Sequence, residues 1–365
     1  MFHFTAGFFY DKIALSKGKG RVFVFEFFAG AAVLFSGSET EQQGGCVFGA
    51  ESELGIRAFA KPNGSDFVRI ESKEFGNFEI EIGDTEPKAE EAESFSAIVR
   101  GIMNCFIESG NIFGGFDAKI VSEIPEESGL SSTAAFEVLI GKIISGLFFE
   151  NSVPALRLAQ FGKTAEENYF GRPANLAERI ISAFGGTVFI DFSEPEMPYF
   201  EKLRFDYTKT GYTAALLGAE DFSEDYFAAQ KDFAFVSWNM GHNFLSEADE
   251  AEFIAQFPIL REKCGEKAVL NSLRFYEESR KAGEEFEAFL NNDFEKFLNV
   301  FKESSGKNFG NSEAFDFVES FLGEKGSAKI LFNFSKTVLA FVPEKIAGNF
   351  AEEAEKHGFG VVFVL

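Results

Sequence analysis

The stretch that decides the fold reads Pro125-Glu126-Glu127-Ser128-Gly129-Leu130-Ser131-Ser132-Thr133-Ala134-Ala135. It follows a short alternating segment, 116–122, that reads as a strand. It leads into 131–149, where Ala134, Val138, Leu139, Ile143 and Leu147 recur at helical spacing. A glycine and several hydroxyl residues at a strand-to-helix junction supply what an anion site needs. Unbonded N–H groups face outward at the helix start, the helix dipole favours negative charge there, and Ser or Thr oxygens can reach a phosphate or Mg²⁺. The same residues also suit plain N-capping, with Ser131 or Ser132 closing the helix and no ligand involved.

Outward from this junction, 94–109, 153–169 and 174–184 read as amphipathic helices and 187–192 as a strand. Strands follow near 203–207 and 213–217, then a helix-rich stretch over 247–321 whose charged faces read as solvated. The end reads strand 328–332, strand 337–342, helix 343–357, strand 361–365. That β-β-α-β order suits an α+β sandwich with helices on one face of an antiparallel sheet. Loops are expected at 61–66, 83–91, 191–198 and 302–312.

Composition narrows the function. The 365 residues carry 34 Lys plus Arg against 58 Asp plus Glu, a net charge of −24. Nucleic-acid and anionic-lipid surfaces need clustered cations, so neither partner is expected. Hydrophobic residues at 45% and charged residues at 25% are ordinary for a globular chain and exclude disorder. At about 150 residues per domain, the length points to two domains or one two-lobed unit. Cys46, Cys105 and Cys264 form neither a disulfide framework nor a zinc motif, which points to a reducing cytoplasm. His3, His242 and His357 lie far apart, which disfavours a histidine metal site. The apolar stretch 22–36 is interrupted by Glu26 and Gly30, so neither a membrane span nor a signal peptide is expected. The 51 Phe residues stand largely where Leu is usual and read as a compositional bias without a function of its own.

The strand–PxxxGLSS[ST]A–helix arrangement resembles the phosphate loop of the superfamily of galacto-, homoserine, mevalonate and phosphomevalonate (GHMP) kinases. Ala165-Glu166-Glu167-Asn168-Tyr169-Phe170-Gly171-Arg172-Pro173 and Gly185-Gly186-Thr187-Val188-Phe189-Ile190-Asp191-Phe192 are similar to bacterial galactokinases in particular. The likeness is strongest over 112–192. It implies an α+β, two-lobed fold: an N-terminal ribosomal-S5-like lobe over 1–195 and a C-terminal ferredoxin-like α/β sandwich lobe over 196–365. It also implies ATP with Mg²⁺ and a sugar acceptor. On this resemblance Ser128, Gly129, Leu130, Ser131, Ser132 and Thr133 match the nucleotide-binding loop. Ser132 and Glu166 match the Mg²⁺ ligands, a carboxylate oxygen being a suitable hard ligand; Glu166 equally reads as an exposed helix carboxylate beside Glu167.

The departures are substantial. Glu126 and Glu127 precede Ser128 where the family loop is Gly-rich, which adds like charge beside a phosphate. The family's catalytic Asp is matched by Glu178, one methylene longer, beside Arg179. That pair reads either as a displaced general base with a lowered pKa or as a solvated helical ion pair. In the sugar-binding signature the Arg position is Ala32, with Gly20-Arg21-Val22 a competing match, the Glu position Leu34, the His position Glu39 and the Asp position Glu41. The frame of Thr40 and Gln43-Gly44-Gly45 persists, and Glu39, Glu41, Gly44 and Gly45 are the matching substrate-binding positions. The third family motif, a Gly-rich loop, is matched by 328–337, which has no Gly and carries Phe332 and Phe334.

These losses lead to the expectation of a galactokinase-like sugar kinase relative with impaired or absent turnover, a pseudoenzyme or ligand-binding scaffold in the cytoplasm. A sugar or nucleotide is its expected small-molecule partner, and no protein partner is indicated. The alternative is an active kinase with a less polar acceptor held by Phe35, Phe332 and Phe334.

Overall fold

A computed structural model describes residues 12–16, 21–126, 128–221, 223–303, 313–332 and 335–365. Glu127, Asn333 and Phe334 lie outside the described residues, as does most of the expected loop at 302–312. The chain groups into two compact units that interleave along the sequence. The first comprises 1–31, 54–124 and 131–184, the second 32–53, 125–130 and 185–365. The sequence reading places one boundary at 195. The grouping differs because two long strands, of 16 and 17 residues, each begin in one unit and end in the other.

The first unit is built on a sheet with strand order β1-β2-β3-β6-β4-β5. These strands are β1 Lys12–Ser16, β2 Arg21–Ser36, β3 Cys46–Pro62, β4 Phe67–Ser72, β5 Gly76–Glu81 and β6 Phe116–Ser122. β6 has the bounds read from its alternation: Phe116, Ala118 and Ile120 are buried while Lys119 and Val121 face out. β6 runs antiparallel to β3 and parallel to β4. Helix α1, Phe95–Glu108, connects β5 to β6 and is capped by Ser94, whose Oγ accepts from the Ala97 N–H at 3.3 Å.

Helices α2 Ser132–Phe148, α3 Ala155–Ala165 and α4 Leu176–Phe184 complete the unit. Their apolar faces bury Phe136, Leu139, Ile143, Leu158, Phe161, Ile180 and Ile181. α3 is shorter than the helix expected over 153–169. It widens into a π turn, Glu166–Phe170, because the N–H groups of Gly171 and Arg172 both bond to the Glu166 carbonyl, at 2.8 and 3.2 Å. Gly171 closes the turn at φ 90°, a left-handed conformation that glycine adopts without strain.

In the second unit the first residues of β3 pair with β7, Thr187–Asp191, which pairs with β8, Tyr199–Leu203. The strand expected near 203–207 ends at Leu203, because its partner β7 begins at Thr187 opposite that residue. The rest of the unit runs β9 Tyr212–Asp221, α5 Ser223–Met240, α6 Glu250–Cys264, α7 Glu266–Leu290, α8 Phe294–Glu303, α9 Glu313–Leu322, β10 Ser327–Phe332, β11 Ser335–Pro343, α10 Glu344–Lys356 and β12 Val361–Phe363. The closing β-β-α-β order matches the sequence reading. These strands form an antiparallel sheet in the order β10-β11-β9-β12.

One core of this unit packs Val318, Leu322, Ile330, Val338 and Phe350 together; another gathers Phe233, Val236, Phe253 and Phe275. The Phe bias is absorbed by such packing. Phe35 is fully buried and meets Phe48, Phe289, Phe297 and Phe341 at centroid separations of 5.6 to 6.4 Å. Of the three residues expected to hold a less polar acceptor, Phe35 is thus taken up by ring packing, while the side chains of Phe332 and Phe334 lie outside the described residues. Among the described residues no helix is long and apolar enough to cross a membrane.

Candidate functional site

In the 125–130 segment of the second unit, Gly129 sits at φ +79°, and a Cβ there would overlap the Thr337 side chain on β11. Only glycine fits this position on both counts. Ser128 is buried, and its Oγ accepts from the Leu130 N–H at 3.3 Å. Gly129 itself is exposed and Leu130 half-buried. In the first unit Ser131 is the N-cap of α2, its Oγ accepting from the Ala134 N–H at 3.4 Å. Ser132 and Thr133 form the first turn and are half-buried. The capping alternative raised by the sequence is thus realised at Ser131, while the neighbouring hydroxyls stay at the helix tip.

Two acidic residues of the first unit, Glu137 and Glu166, meet Arg179 of α4. Glu178 is buried, and so is Arg179 beside it, at 1% exposure. A solvated ion pair is therefore not what these residues form. The Arg179 Nε donates to Glu137 Oε2 at 2.5 Å and its Nη2 to Glu137 Oε1 at 3.1 Å. The same Nη2 donates to Glu166 Oε2, and Nη1 donates to the Asn175 carbonyl at 2.5 Å. Burial works against the Arg179 charge, but Glu137 and Glu166 hold its pKa above the usual value. Burial pushes the Glu137 carboxyl up to about 8 against the pull of Arg179. Glu137 sits on α2 in the Phe136-Glu137-Val138 stretch that follows the phosphate-loop signature. Its burial among apolar neighbours is not legible from helical spacing.

The sugar-signature positions lie in the second unit, and all four are buried. Glu39, 2% exposed, forms a bidentate ion pair with Arg274 of α7. Burial raises the Glu39 pKa even with Arg274 opposing it. Glu41 opens a short 3₁₀ turn that Gly44 closes at φ 75°. A Cβ on Gly44 would overlap the Ser246 side chain, and one on Gly45 would crowd Thr40 and Phe275. These glycines are required by close packing within the unit.

α7 fastens this segment along its length. Besides Arg274 on Glu39, Glu278 accepts from the Gly37 N–H at 3.2 Å. Glu285 accepts from the Ser36 hydroxyl at 2.7 Å, and the Ser279 hydroxyl accepts from the Cys46 N–H at 2.9 Å. Lys329 of β10 joins them, donating to the Phe35 carbonyl at 3.0 Å, the Ser36 hydroxyl at 2.9 Å and Glu278 at 2.7 Å. The charged face of α7 is therefore buried, where the sequence reading made it solvated. Arg274, Glu278, Lys281 and Glu285 follow one helical stripe, but solvated charges share that spacing, so it carries no signal of burial. Among the described residues, no three His, Cys, Asp or Glu side chains cluster as a metal site would need.

Comparison with known proteins accords with this architecture. Residues 97–186, spanning nearly all of α1 through α4, match the model of the GHMP kinases N terminal domain. A galactokinase of Lactococcus lactis subsp. cremoris is 33% identical over 163 residues, covering 44% of this chain and 40% of that protein. A galactokinase of Lactobacillus helveticus is 28% identical over 190 residues, 50% of this chain and 48% of its own length. The sequence likeness thus spans less than half of these curated relatives. The crystal structure of Lactococcus lactis galactokinase complexed with galactose superposes with a TM-score of 0.78 at 21% identity, covering 93% of each chain. Methanococcus jannaschii mevalonate kinase superposes with a TM-score of 0.63 at 15% identity, covering 96% of this chain and 99% of that one.

Proposed function

We propose that this chain, whose residues 97–186 match the GHMP kinases N terminal domain and which is similar to galactokinases, is a nucleotide-binding relative of the sugar kinases without efficient phosphoryl transfer to a sugar. The observation that carries this reading is the buried ion pair of Glu39 with Arg274. A carboxylate held in both its oxygens by a guanidinium inside the protein has little left to offer a sugar hydroxyl. Glu41, Gly44 and Gly45 are buried beside it. Phosphoryl transfer depends almost wholly on positioning and charge, so a substrate frame committed to internal contacts removes the means of catalysis.

Nucleotide binding is the retained half. GHMP kinases use ATP, whose terminal phosphoryl group is what such enzymes transfer. Residues 128–133 suit a phosphate: Gly129 keeps the backbone bare beside Thr337, and Ser132 and Thr133 bring hydroxyls to the α2 tip. Glu178 is the carboxylate assigned to any residual base function. The same reading places the protein in a cytoplasm, where its three thiols, free in the structure, stay reduced. A less polar acceptor is disfavoured because Phe35 is closed inside an aromatic core.

Calorimetric titration with Mg·ATP, alone and with galactose, followed by an ATPase-coupled assay over a sugar panel, tests the proposal. Nucleotide binding without turnover is the expected result. Turnover on galactose overturns the catalytic half, and absence of nucleotide binding overturns the other. Should turnover appear, an unchanged rate in Glu178→Ala removes Glu178 from the mechanism.

A further inference from the structure

The strongest unused feature of the first unit is the group of buried Arg179 and Glu137 with half-buried Glu166. Glu166 is the carboxylate that the family reading assigns to Mg²⁺, and this inference rests on that assignment. Mg²⁺ demands near-octahedral oxygen ligands at about 2.0–2.1 Å and gives up its waters reluctantly. Here the Glu166 Oε2 already accepts from Arg179 Nη2. The guanidinium cannot move aside freely. Its Nε and Nη2 form a fork on Glu137, and its Nη1 is tied to the Asn175 carbonyl one turn back along the chain. Gly162 packs against Glu137, where a Cβ would come within 2.7 Å of Oε2, so the pair is closed in on that side as well. A divalent ion on Glu166 would have to sit beside a fixed positive charge that does not lose its proton. Among the described residues no three acidic, His or Cys side chains cluster as a metal site would need. The residues present do not fit a metal at Glu166.

We propose that Arg179 is a built-in cation standing in for the divalent metal at Glu166, so that this chain binds its phosphate-bearing ligand without a metal ion held by that carboxylate. The sequence position carries the same message. Arg179 directly follows Glu178 on α4, and the helix aims it at Glu137 and Glu166.

The test is a Mn²⁺ titration of the full chain followed by electron paramagnetic resonance of the free ion, with and without excess ADP, on the wild type and Glu166→Gln. Glutamine keeps the shape and one oxygen acceptor for Arg179. The isotherms of the two proteins are expected to coincide in affinity and stoichiometry under both conditions. Loss of one bound equivalent in Glu166→Gln overturns the proposal. If that variant does not fold, the unaltered chain decides. The shift of its melting temperature by ADP is expected to be the same in Mg²⁺ as in EDTA, and a shift seen only with Mg²⁺ overturns the proposal. Sugar turnover would defeat the proposed loss of catalysis without changing either readout, so the two failures are distinguishable.

Discussion

Lys329 Nζ lies 2.7 Å from Glu278 Oε2, joining β10 to α7 with both side chains almost wholly buried. Burial alone would raise the Glu278 pKa, but the Lys329 ammonium beside it brings it below the usual carboxylate value. Lys329 also holds the Phe35 carbonyl and the Ser36 hydroxyl, so one ammonium places three elements of the second unit.

Lys329→Ala strands a carboxylate in the interior. Breaking a buried pair from one side costs about 3–5 kcal/mol. Urea unfolding of Lys329→Ala should show a loss of that size. The double change Lys329→Met with Glu278→Met should lose less than the two single changes added together, because no unpaired charge remains. Additive losses would mean the two groups do not interact.

Glu285 sets a pH dependence. Burial pushes its carboxyl up to about 8; the Ser36 hydroxyl donates to Oε1, and among the described residues the buried Oε2 has no hydrogen-bond partner. In the unfolded chain the same group titrates near its ordinary value of about 4.3. Between these values the folded state binds more protons than the unfolded state, so this group's contribution to stability falls as pH rises and levels off above about 8. Glu285→Gln should flatten the profile of urea midpoint against pH over that window. A variant profile parallel to the wild type would exclude Glu285 as the source.

Gly129→Ala should destabilise through two separable terms. A left-handed backbone costs a residue with a Cβ about 1–2 kcal/mol, and the new methyl overlaps Thr337. Thr337→Gly added to Gly129→Ala should relieve the overlap and leave the backbone term. Thermal unfolding of the two variants separates them. Equal melting temperatures would show that Thr337 does not confine the loop.

Glu39→Gln should lower stability by about 3–5 kcal/mol, since it removes one side of a buried bidentate ion pair with Arg274. It should leave galactose affinity unaltered in calorimetry. A loss of galactose binding at unchanged stability would make Glu39 a sugar ligand and contradict the proposed function.

Much of the local architecture was legible in the sequence because its causes are local. Ser94 and Ser131 cap helices through N–H groups three residues on, and the alternation of Phe116, Ala118 and Ile120 sets the inward face of β6. The phosphate-loop signature likewise lies in one contiguous run whose Gly129 needs its own backbone conformation. The closing β-β-α-β order could be read from periodicity alone. The π turn at Glu166–Phe170 could not, because its wide bonds leave the apolar spacing of the preceding helix unchanged.

What tertiary structure alone decided is where the charges go. Glu39 meets Arg274 across 235 positions, Ser36 meets Lys329 across 293, and Glu137 meets Arg179 across 42. A sequence shows that a side chain is charged, whereas its burial and its counter-ion depend on which distant element packs over it. The charged stripe of α7 and the pair Glu178 and Arg179 look like solvent faces until the neighbouring elements are in place, because solvated and buried helical charges share the same spacing.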